Sequence, residues 1–165
     1  MDRLILFRHG KTEARAVSGE DFDRQLTPRG RRDARLIADA LADAGFAPDR
    51  ALVSAAMRTR ETWDAVAPAF PGAILETRAE LYDADARVLL AAGQTPLGRM
   101  VTIIAHNPGL QVLAIALAAR ALAPDYEARI RAGFATGAAA VFAFADDRVE
   151  ALGLFYPADY GGGPD

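Results

Sequence analysis

The chain has 165 residues, of which 52% are hydrophobic and 25% are charged, and its net charge is -3. This length and balance predict one globular domain with a proper core, and the lack of a basic excess argues against nucleic acid as a partner. The absence of Cys excludes disulfides, thiolate catalysis and thiolate metal sites.

No segment of the sequence is typical of a membrane anchor or a targeting signal. The longest apolar stretch, Val112 to Ala119, is far shorter than the ~20 residues that a membrane span requires. The first apolar run, Leu4 to Phe7, is too short for the core of a signal peptide. We therefore expect a soluble cytoplasmic protein that does not bind membranes, and a chain without Cys fits that reducing compartment.

Strand-like and helix-like segments alternate through the first two thirds of the chain. Short apolar runs predict strands at Leu4 to Phe7, Ala51 to Val53, Ala73 to Thr77 and Met100 to Ala105. Apolar residues at helical spacing predict helices at Pro28 to about Gly45, around Trp63 to Phe70, at Ala84 to Ala92 and at Pro108 to about Ala119. The first of these helices has an N-cap signal, Thr27 followed by proline, and Gly45 as its stop.

The final third of the chain predicts an antiparallel pair of strands. Ala138 to Ala145 and Arg148 to Phe155 flank an Asp-Asp turn and indicate a hairpin at the sheet edge. The expected fold class is α/β: a three-layer α/β/α sandwich with a mostly parallel central sheet and this antiparallel edge hairpin. Residues 1–157 are expected to form a single domain, and the glycine-rich residues 158–165 a flexible tail.

Both histidines of the chain follow a predicted strand directly. His9 comes after Leu4 to Phe7 and Arg8, and His106 comes after Met100 to Ala105. In open α/β sheets, ligands bind beyond the carboxyl ends of the strands. Either residue alone is most simply a loop histidine, but two in the same structural position predict that their imidazoles meet at one site.

Arginines near the same strand ends predict an anion site. Arg8 continues an apolar strand into a loop, where its charge needs a partner. Arg58 lies at the strand-to-helix junction after Val53, where free backbone N–H groups favour anions; a solvated surface position is the alternative for Arg58. Gly10 allows backbone N–H groups to approach an anion closely. A phosphate suits both guanidinium groups.

Four motifs in order resemble those of the histidine phosphatase superfamily, which is also called phosphoglycerate-mutase-like. They are Arg8-His9-Gly10, Leu26-Thr27-x-x-Gly30, Ser54-x-x-x-Arg58-x-x-x-Thr62 and Ala105-His106-Asn107-Pro108-Gly109. Their order and spacing and the short chain are similar to the small bacterial branch, the SixA-type phosphohistidine phosphatases. The resemblance runs from Arg3 to about Phe144.

The resemblance implies a catalytic role for each central residue. His9 is expected to be the nucleophile that takes the phosphoryl group, and Arg8, Arg58 and His106 are expected to hold the phosphoryl oxygens. These are the parts that phosphoryl transfer requires, because its catalysis is largely positioning and electrostatic stabilisation. No metal and no cofactor are expected, since the sequence contains no tight cluster of His and carboxylates.

Other residues of the site are less well defined by the motifs. Many family members use a glutamate to protonate the leaving oxygen; here Asp83 fits that position and Glu80 is a second candidate, and each is as readily a surface carboxylate. Lys11, Thr12, Gly10 and Asn107 adjoin the predicted pocket and are candidate substrate-binding residues. The chain is also short for the inserted cap of larger members, which predicts an open site.

Three functions fit this sequence. The leading hypothesis is a phosphatase with a phosphohistidine intermediate that dephosphorylates phosphohistidine on a protein, such as a phosphotransfer domain of a signalling relay. The second keeps this chemistry but takes a small phosphate ester, such as a sugar phosphate or a phosphoglycerate. The third is a non-catalytic phosphate-binding regulator, against which the complete set of Arg8, His9, Arg58 and His106 argues.

Overall fold

The fold is a six-stranded sheet between two layers of helices. A computed structural model describes residues 1–94 and 98–163 of the chain. In chain order, the strands are β1 (Arg3–Arg8), β2 (Arg50–Ser54), β3 (Ile74–Arg78), β4 (Met100–Ala105), β5 (Ala139–Ala145) and β6 (Arg148–Phe155). The α-helices are α1 (Pro28–Asp43), α2 (Met57–Val66), α3 (Ala86–Gln94), α4 (Gly109–Arg120) and α5 (Pro124–Ala132).

The sheet is parallel on one side and antiparallel on the other. Its strand order is β3-β2-β4-β1-β5-β6. The pairs from β3 to β1 are parallel, whereas β1–β5 and β5–β6 are antiparallel. The predicted α/β fold, with a mostly parallel sheet and an edge hairpin, is therefore confirmed.

Alternate residues of the central strands divide the core into two layers. In β1, Leu4 and Leu6 belong to the core under α3, α4 and α5, whereas Ile5 and Phe7 belong to the core under α1 and α2. All four side chains are at most 1% exposed. This burial on both faces explains why the strands are continuous apolar runs, as expected for parallel strands that are covered by helices on both sides.

The start of α1 is fixed by its own side-chain cap and by the loop after β1. Thr27 Oγ1 accepts a hydrogen bond from the Gly30 N–H at 2.9 Å, and Pro28 occupies the first helical position, as the sequence predicted. The Thr27 N–H donates to the Lys11 carbonyl at 2.9 Å. A Cβ on Gly10 would lie 2.6 Å from the Gly30 carbonyl oxygen, and a Cβ on Gly30 would collide with the Lys11 carbonyl. Main chain therefore packs directly on main chain here.

Two parts of the chain differ from or extend the prediction. The 9-residue helix α5 was not predicted, because it is mostly polar and buries only Ile130. The start of the segment predicted to be a flexible tail forms a 3-10 helix, Pro157–Tyr160. Its Asp159 pairs with Arg129 at 2.6 Å. The last two residues of that tail lie outside the described residues. Within the described chain, no helix is both long and apolar enough to cross a membrane.

Candidate active site

Strand register brings the two histidines together. β1 and β4 are neighbours in parallel register, with Arg8 opposite Ala105, so the residues that follow, His9 and His106, leave the sheet side by side. Their ring centroids are 5.3 Å apart. The prediction that both imidazoles meet at one site is therefore confirmed by the geometry.

The tautomer of His9 follows from its backbone partner. His9 Nδ1 lies 2.8 Å from the Gly10 carbonyl oxygen, which only accepts hydrogen bonds. Nδ1 therefore carries the proton, and the lone pair of the neutral ring lies on Nε2. Burial lowers the pKa of His9 to about 4, partly opposed by the Gly10 hydrogen bond and assisted by the nearby charges of Arg58 and Arg8. The ring is thus neutral at pH 7.

His106 lies between Arg58 and the end of β2. Arg58 Nε donates to His106 Nδ1 at 3.1 Å, and His106 Nε2 lies 2.8 Å from Ser54 Oγ. Because arginine only donates, Nδ1 is the acceptor and the Nε2–H donates to Ser54. Burial is the main cause that lowers the pKa of His106 to about 3, and the charges of the neighbouring His9 and Arg58 lower it further.

Arg58 is held by a residue that the sequence analysis did not single out. Its Nη1 donates to the Asp21 backbone carbonyl at 2.8 Å, and its Nη2 pairs with Asp21 Oδ2 at 3.0 Å. The same carboxylate accepts from Tyr82 Oη at 3.1 Å and pairs with Arg24 Nη1 at 3.0 Å. These hydrogen bonds and cations keep the pKa of Asp21 below its usual value, although burial acts in the opposite direction. Asp21 is therefore a fully engaged carboxylate.

These groups open onto one cleft of about 620 Å³. Arg8, which donates to the Phe134 carbonyl at 2.7 Å, contributes to its wall. The charged side chains that line the cleft are Arg8, Lys11, Arg24, Arg58, Asp21 and Asp83. Thr12 and Asn107 also line it. The cleft thus carries four cations and two carboxylates, a balance that favours a small anion such as a phosphoryl group.

The family assignment rests on comparison of both sequence and structure. The family model "Histidine phosphatase superfamily (branch 1)" matches residues 4–89. A relative in Mycobacterium leprae, an uncharacterized protein, is 32% identical over 123 residues, which cover 73% of this chain and 74% of that protein. The chain belongs to the histidine phosphatase superfamily. Phosphatase chemistry and the phosphoglycerate-mutase-like fold, both expected from the motifs, are thereby supported at the level of the family.

Other comparisons refine this assignment. A crystal structure from Agrobacterium tumefaciens, provisionally named phosphohistidine phosphatase SixA, superposes with a TM-score of 0.82 at 30% identity and covers 94% of this chain and 98% of that one. This match supports the predicted SixA-type branch. An uncharacterized chloroplastic protein of Arabidopsis thaliana is 43% identical over 60 residues, which are 36% of this chain and only 28% of that protein.

The two candidate acids of this histidine phosphatase have different surroundings. Asp83 follows the 3-10 helix Ala79–Leu81, has a φ of 52° and lines the cleft. Glu80 is not among the residues lining the cleft; it is exposed and pairs with Arg78 at 3.6 Å. The geometry therefore favours Asp83 over Glu80 as a group that meets substrate.

Gly10 has a different environment from the one expected. Its N–H donates to Thr62 Oγ1 at 3.0 Å and is therefore not directed at an anion. Thr62 Oγ1 in turn donates to the Arg58 carbonyl at 2.7 Å. Thr62 thus joins the loop that carries His9 to the helix that carries Arg58. The spacing of four residues between Arg58 and Thr62, about one helical turn, accounts for the second of these hydrogen bonds, whereas the bond to Gly10 joins residues that are distant in sequence.

The described residues contain no group of three or more His, Cys, Asp and Glu side chains that could hold a metal ion. The cations that the cleft offers to a phosphoryl group are arginine and lysine side chains. Among these, Arg58 is firmly held, since its side chain is 7% exposed and three of its donors are engaged.

Proposed function

We propose that this histidine phosphatase removes the phosphoryl group from phosphohistidine on a protein, through a covalent intermediate on His9. The observation that carries the proposal is the fixed tautomer of His9, with the Nδ1–H on the Gly10 carbonyl at 2.8 Å and the Nε2 lone pair available. A neutral imidazole in a cationic cleft is a nucleophile that does not need a base to activate it. Signalling phosphotransfer domains are the substrate class that we favour.

The first chemical step uses the Nε2 lone pair of His9. This lone pair forms a bond to phosphorus while the bond from phosphorus to the leaving atom breaks, and that electron pair stays with the leaving group. Arg8 and Arg58 stabilise the charge on the equatorial oxygens, which is the main catalytic requirement of phosphoryl transfer. The phosphorylated ring of His9 keeps its Nδ1–H on Gly10.

The second step returns the enzyme to its starting state. Water attacks phosphorus, the P–N bond breaks and its electron pair returns to His9 Nε2. Inorganic phosphate leaves with the hydrogens of the water, one of which is free to pass to the solvent. No other co-reactant is needed, and His9 regains the neutral tautomer that the Gly10 carbonyl favours.

Leaving-group chemistry supports a phosphohistidine substrate over an alkyl phosphate. Transfer from one imidazole to another exchanges one P–N bond for a similar one, so the first step demands little of a general acid. Glu80 lies off the cleft, and Asp83 is the single unengaged carboxylate among the described residues that line it. An alkoxide leaving group needs a proton in the transition state far more than an imidazole does.

The intermediate is tested directly by brief reaction with a labelled phosphohistidine peptide. The wild-type enzyme is expected to form an acid-labile, base-stable adduct on His9, and His9→Ala is expected to form none and to lose turnover. Full activity of His9→Ala would refute covalent catalysis on His9 and would require a different nucleophile.

The substrate class is tested by comparing kcat/KM. We expect a histidine-phosphorylated protein to exceed simple phosphate esters by at least about tenfold, which corresponds to about 1.4 kcal/mol in transition-state stabilisation. The reverse preference, or efficient turnover of a sugar phosphate or phosphoglycerate, would assign the enzyme to small phosphate esters instead.

A further inference from the structure

A second cavity of about 360 Å³ adjoins the catalytic cleft. Asp83, His106 and Asn107 line both cavities, so they form the boundary between them. The remaining wall is mostly apolar and includes Ala84, Ala86, Pro108 and Val112. Its other carboxylate, Asp85, accepts from the backbone N–H groups of Arg87 and Val88. We call this cavity the side groove. Its position next to the cationic cleft makes it accessible to the part of a substrate beyond the phosphoryl group.

Asp83 differs from the other carboxylate of the cleft. Asp21 is paired with Arg58 and Arg24 and accepts from Tyr82. Asp83 forms no hydrogen bond or ion pair with any residue that the structure describes, and it is exposed. A carboxylate is strongly hydrated and is not expected to lack a partner when a substrate covers it. It is therefore available for a donor that arrives with the substrate.

We infer that Asp83 and the side groove form the subsite for a leaving imidazole, with Asp83 accepting a hydrogen bond from the ring N–H that is not phosphorylated. The inference rests on the proposed function and specifies its substrate: the protonated ring of a phosphohistidine, recognised by charge at one edge and by apolar contact on its face. It gives Asp83 the role of a hydrogen-bond acceptor instead of a general acid.

The chemistry of the P–N bond requires such an acceptor. When this bond breaks, its electron pair stays on the substrate nitrogen, and the leaving ring is neutral only if its other nitrogen carries a proton. A carboxylate on that N–H favours the protonated ring and so makes it the better leaving group. The proton stays on the substrate throughout the step, and none has to be delivered.

The arrangement on the enzyme side supports the same reasoning. His9 receives the phosphoryl group with its distal Nδ1–H donating to the Gly10 carbonyl. At the transition state the phosphoryl group lies between two imidazoles, and the second ring needs an acceptor equivalent to that carbonyl. Asn107 Oδ1 has no hydrogen-bond partner among the described residues but is shielded from solvent. Asp83 is the exposed acceptor at the boundary.

The negative charge of Asp83 also favours binding of the protonated leaving ring. Arg8, Lys11, Arg24 and Arg58 attract the phosphoryl group but repel a protonated imidazole ring. Because Asp21 is already shared between two of these arginines, it offsets little of that repulsion. Asp83 supplies negative charge on the side of the cleft from which the ring leaves.

The test compares two variants on three substrates. Asp83→Asn keeps the shape of the side chain but removes the charge, and Glu80→Gln makes the same change at an exposed carboxylate that does not line either cavity. The substrates are a histidine-phosphorylated peptide, p-nitrophenyl phosphate and serine phosphate. We expect Asp83→Asn to lower kcat/KM for the phosphohistidine peptide by about 10- to 100-fold, the effect of losing one charge-assisted hydrogen bond.

The other two substrates distinguish a hydrogen-bond acceptor for the leaving ring from a general acid. Nitrophenolate has no ring N–H, so Asp83→Asn is expected to change kcat/KM for p-nitrophenyl phosphate much less than for the phosphohistidine peptide. Glu80→Gln, which lies outside both cavities, is expected to change kcat/KM by less than about twofold for all three substrates. Equal losses on the peptide and p-nitrophenyl phosphate, or no loss on either, overturn the subsite. The largest loss on serine phosphate identifies a general acid and also overturns it.

Failure of the subsite is distinguishable from failure of the proposed function. If the wild-type enzyme prefers phosphohistidine and Asp83→Asn keeps that preference, the function stands and the subsite is wrong. If the wild-type enzyme has no preference for phosphohistidine over the esters, the proposed function itself is wrong, whatever the variants do.

Discussion

The hydroxyl of Thr62 is the most informative group to remove, because it joins both halves of the site. It accepts from the Gly10 N–H at 3.0 Å and donates to the Arg58 carbonyl at 2.7 Å, and the side chain is fully buried. Thr62→Val keeps the shape of the side chain and deletes only these hydrogen bonds.

The magnitude follows from the groups left without a partner. The Arg58 carbonyl lies in the first turn of α2 and keeps its i+4 partner within the helix. The buried Gly10 N–H loses its acceptor, which costs about 1–3 kcal/mol. For a domain of this size, that is a fall in Tm of several degrees, at about 2–4 °C per kcal/mol.

The kinetic effect is expected to be larger than a stability loss alone explains. The Gly10 carbonyl holds His9 Nδ1, so a displaced Gly10 turns the nucleophile away from phosphorus. Misplacement of a reacting group by about 1 Å costs up to about 100-fold in rate. We expect kcat on p-nitrophenyl phosphate to fall by about 10- to 100-fold in Thr62→Val at a temperature where the variant is folded.

Thr59→Val is the matched control, because Thr59 lies less than one turn before Thr62 on the same helix. Thr59 is equally buried, and its hydroxyl donates to the carbonyls of Ser54 and Ala56 at 2.8 Å without contacting Gly10. Thermal melts and initial rates on both variants separate the effects. Comparable stability losses with a rate loss confined to Thr62→Val support the linkage; full activity of Thr62→Val, or an equal rate loss in Thr59→Val, refutes it.

Two further predictions concern the charges of the site. Burial lowers the pKa of His9 to about 4 and of His106 to about 3, both from 6.5, so the folded state favours the neutral rings. The stability that depends on the neutral rings is complete above pH 6.5 and decreases as the pH falls, by up to about 2 kcal/mol for each histidine between pH 6.5 and pH 5. Urea titrations at several pH values should show this loss. A His106→Asn variant that loses as much stability as the wild type would contradict the prediction. Arg58→Lys keeps the charge but loses the contacts to His106 and Asp21. We therefore expect kcat/KM to fall at least about tenfold and inhibition by vanadate to weaken. Unchanged inhibition would show that the shape of the guanidinium group is not needed.

The parts of the molecule that follow from local patterns were predictable from the sequence. Apolar runs defined the central strands, and because His9 and His106 follow two of them directly, their meeting required only that the strands be neighbours. The cap at Thr27 likewise depends on residues close in the chain. Helix α5 was missed because a polar helix with one buried side chain has no apolar periodicity.

Local sequence patterns could not predict the position of Asp21 in the site. Residues 13–25 form a polar loop whose ends are held by a bridge between Thr12 and Leu26, and its path over the cleft depends on Arg58 and Tyr82, which are distant in sequence. Such contacts leave no periodic signal. The motif resemblance selected Asp83 by position alone, and its lack of a partner among residues 1–94 and 98–163 is a property of the folded chain only.

The contact between Gly10 and Gly30 makes two distant positions behave as one. Each glycine faces the main chain of the other's segment, and a Cβ on either would meet a carbonyl group instead of a side chain that is free to move. A larger residue at one position therefore has no compensating substitution at the other. Because Gly10 also anchors His9, any shift of the first turn of α1 is transmitted to the nucleophile through backbone alone.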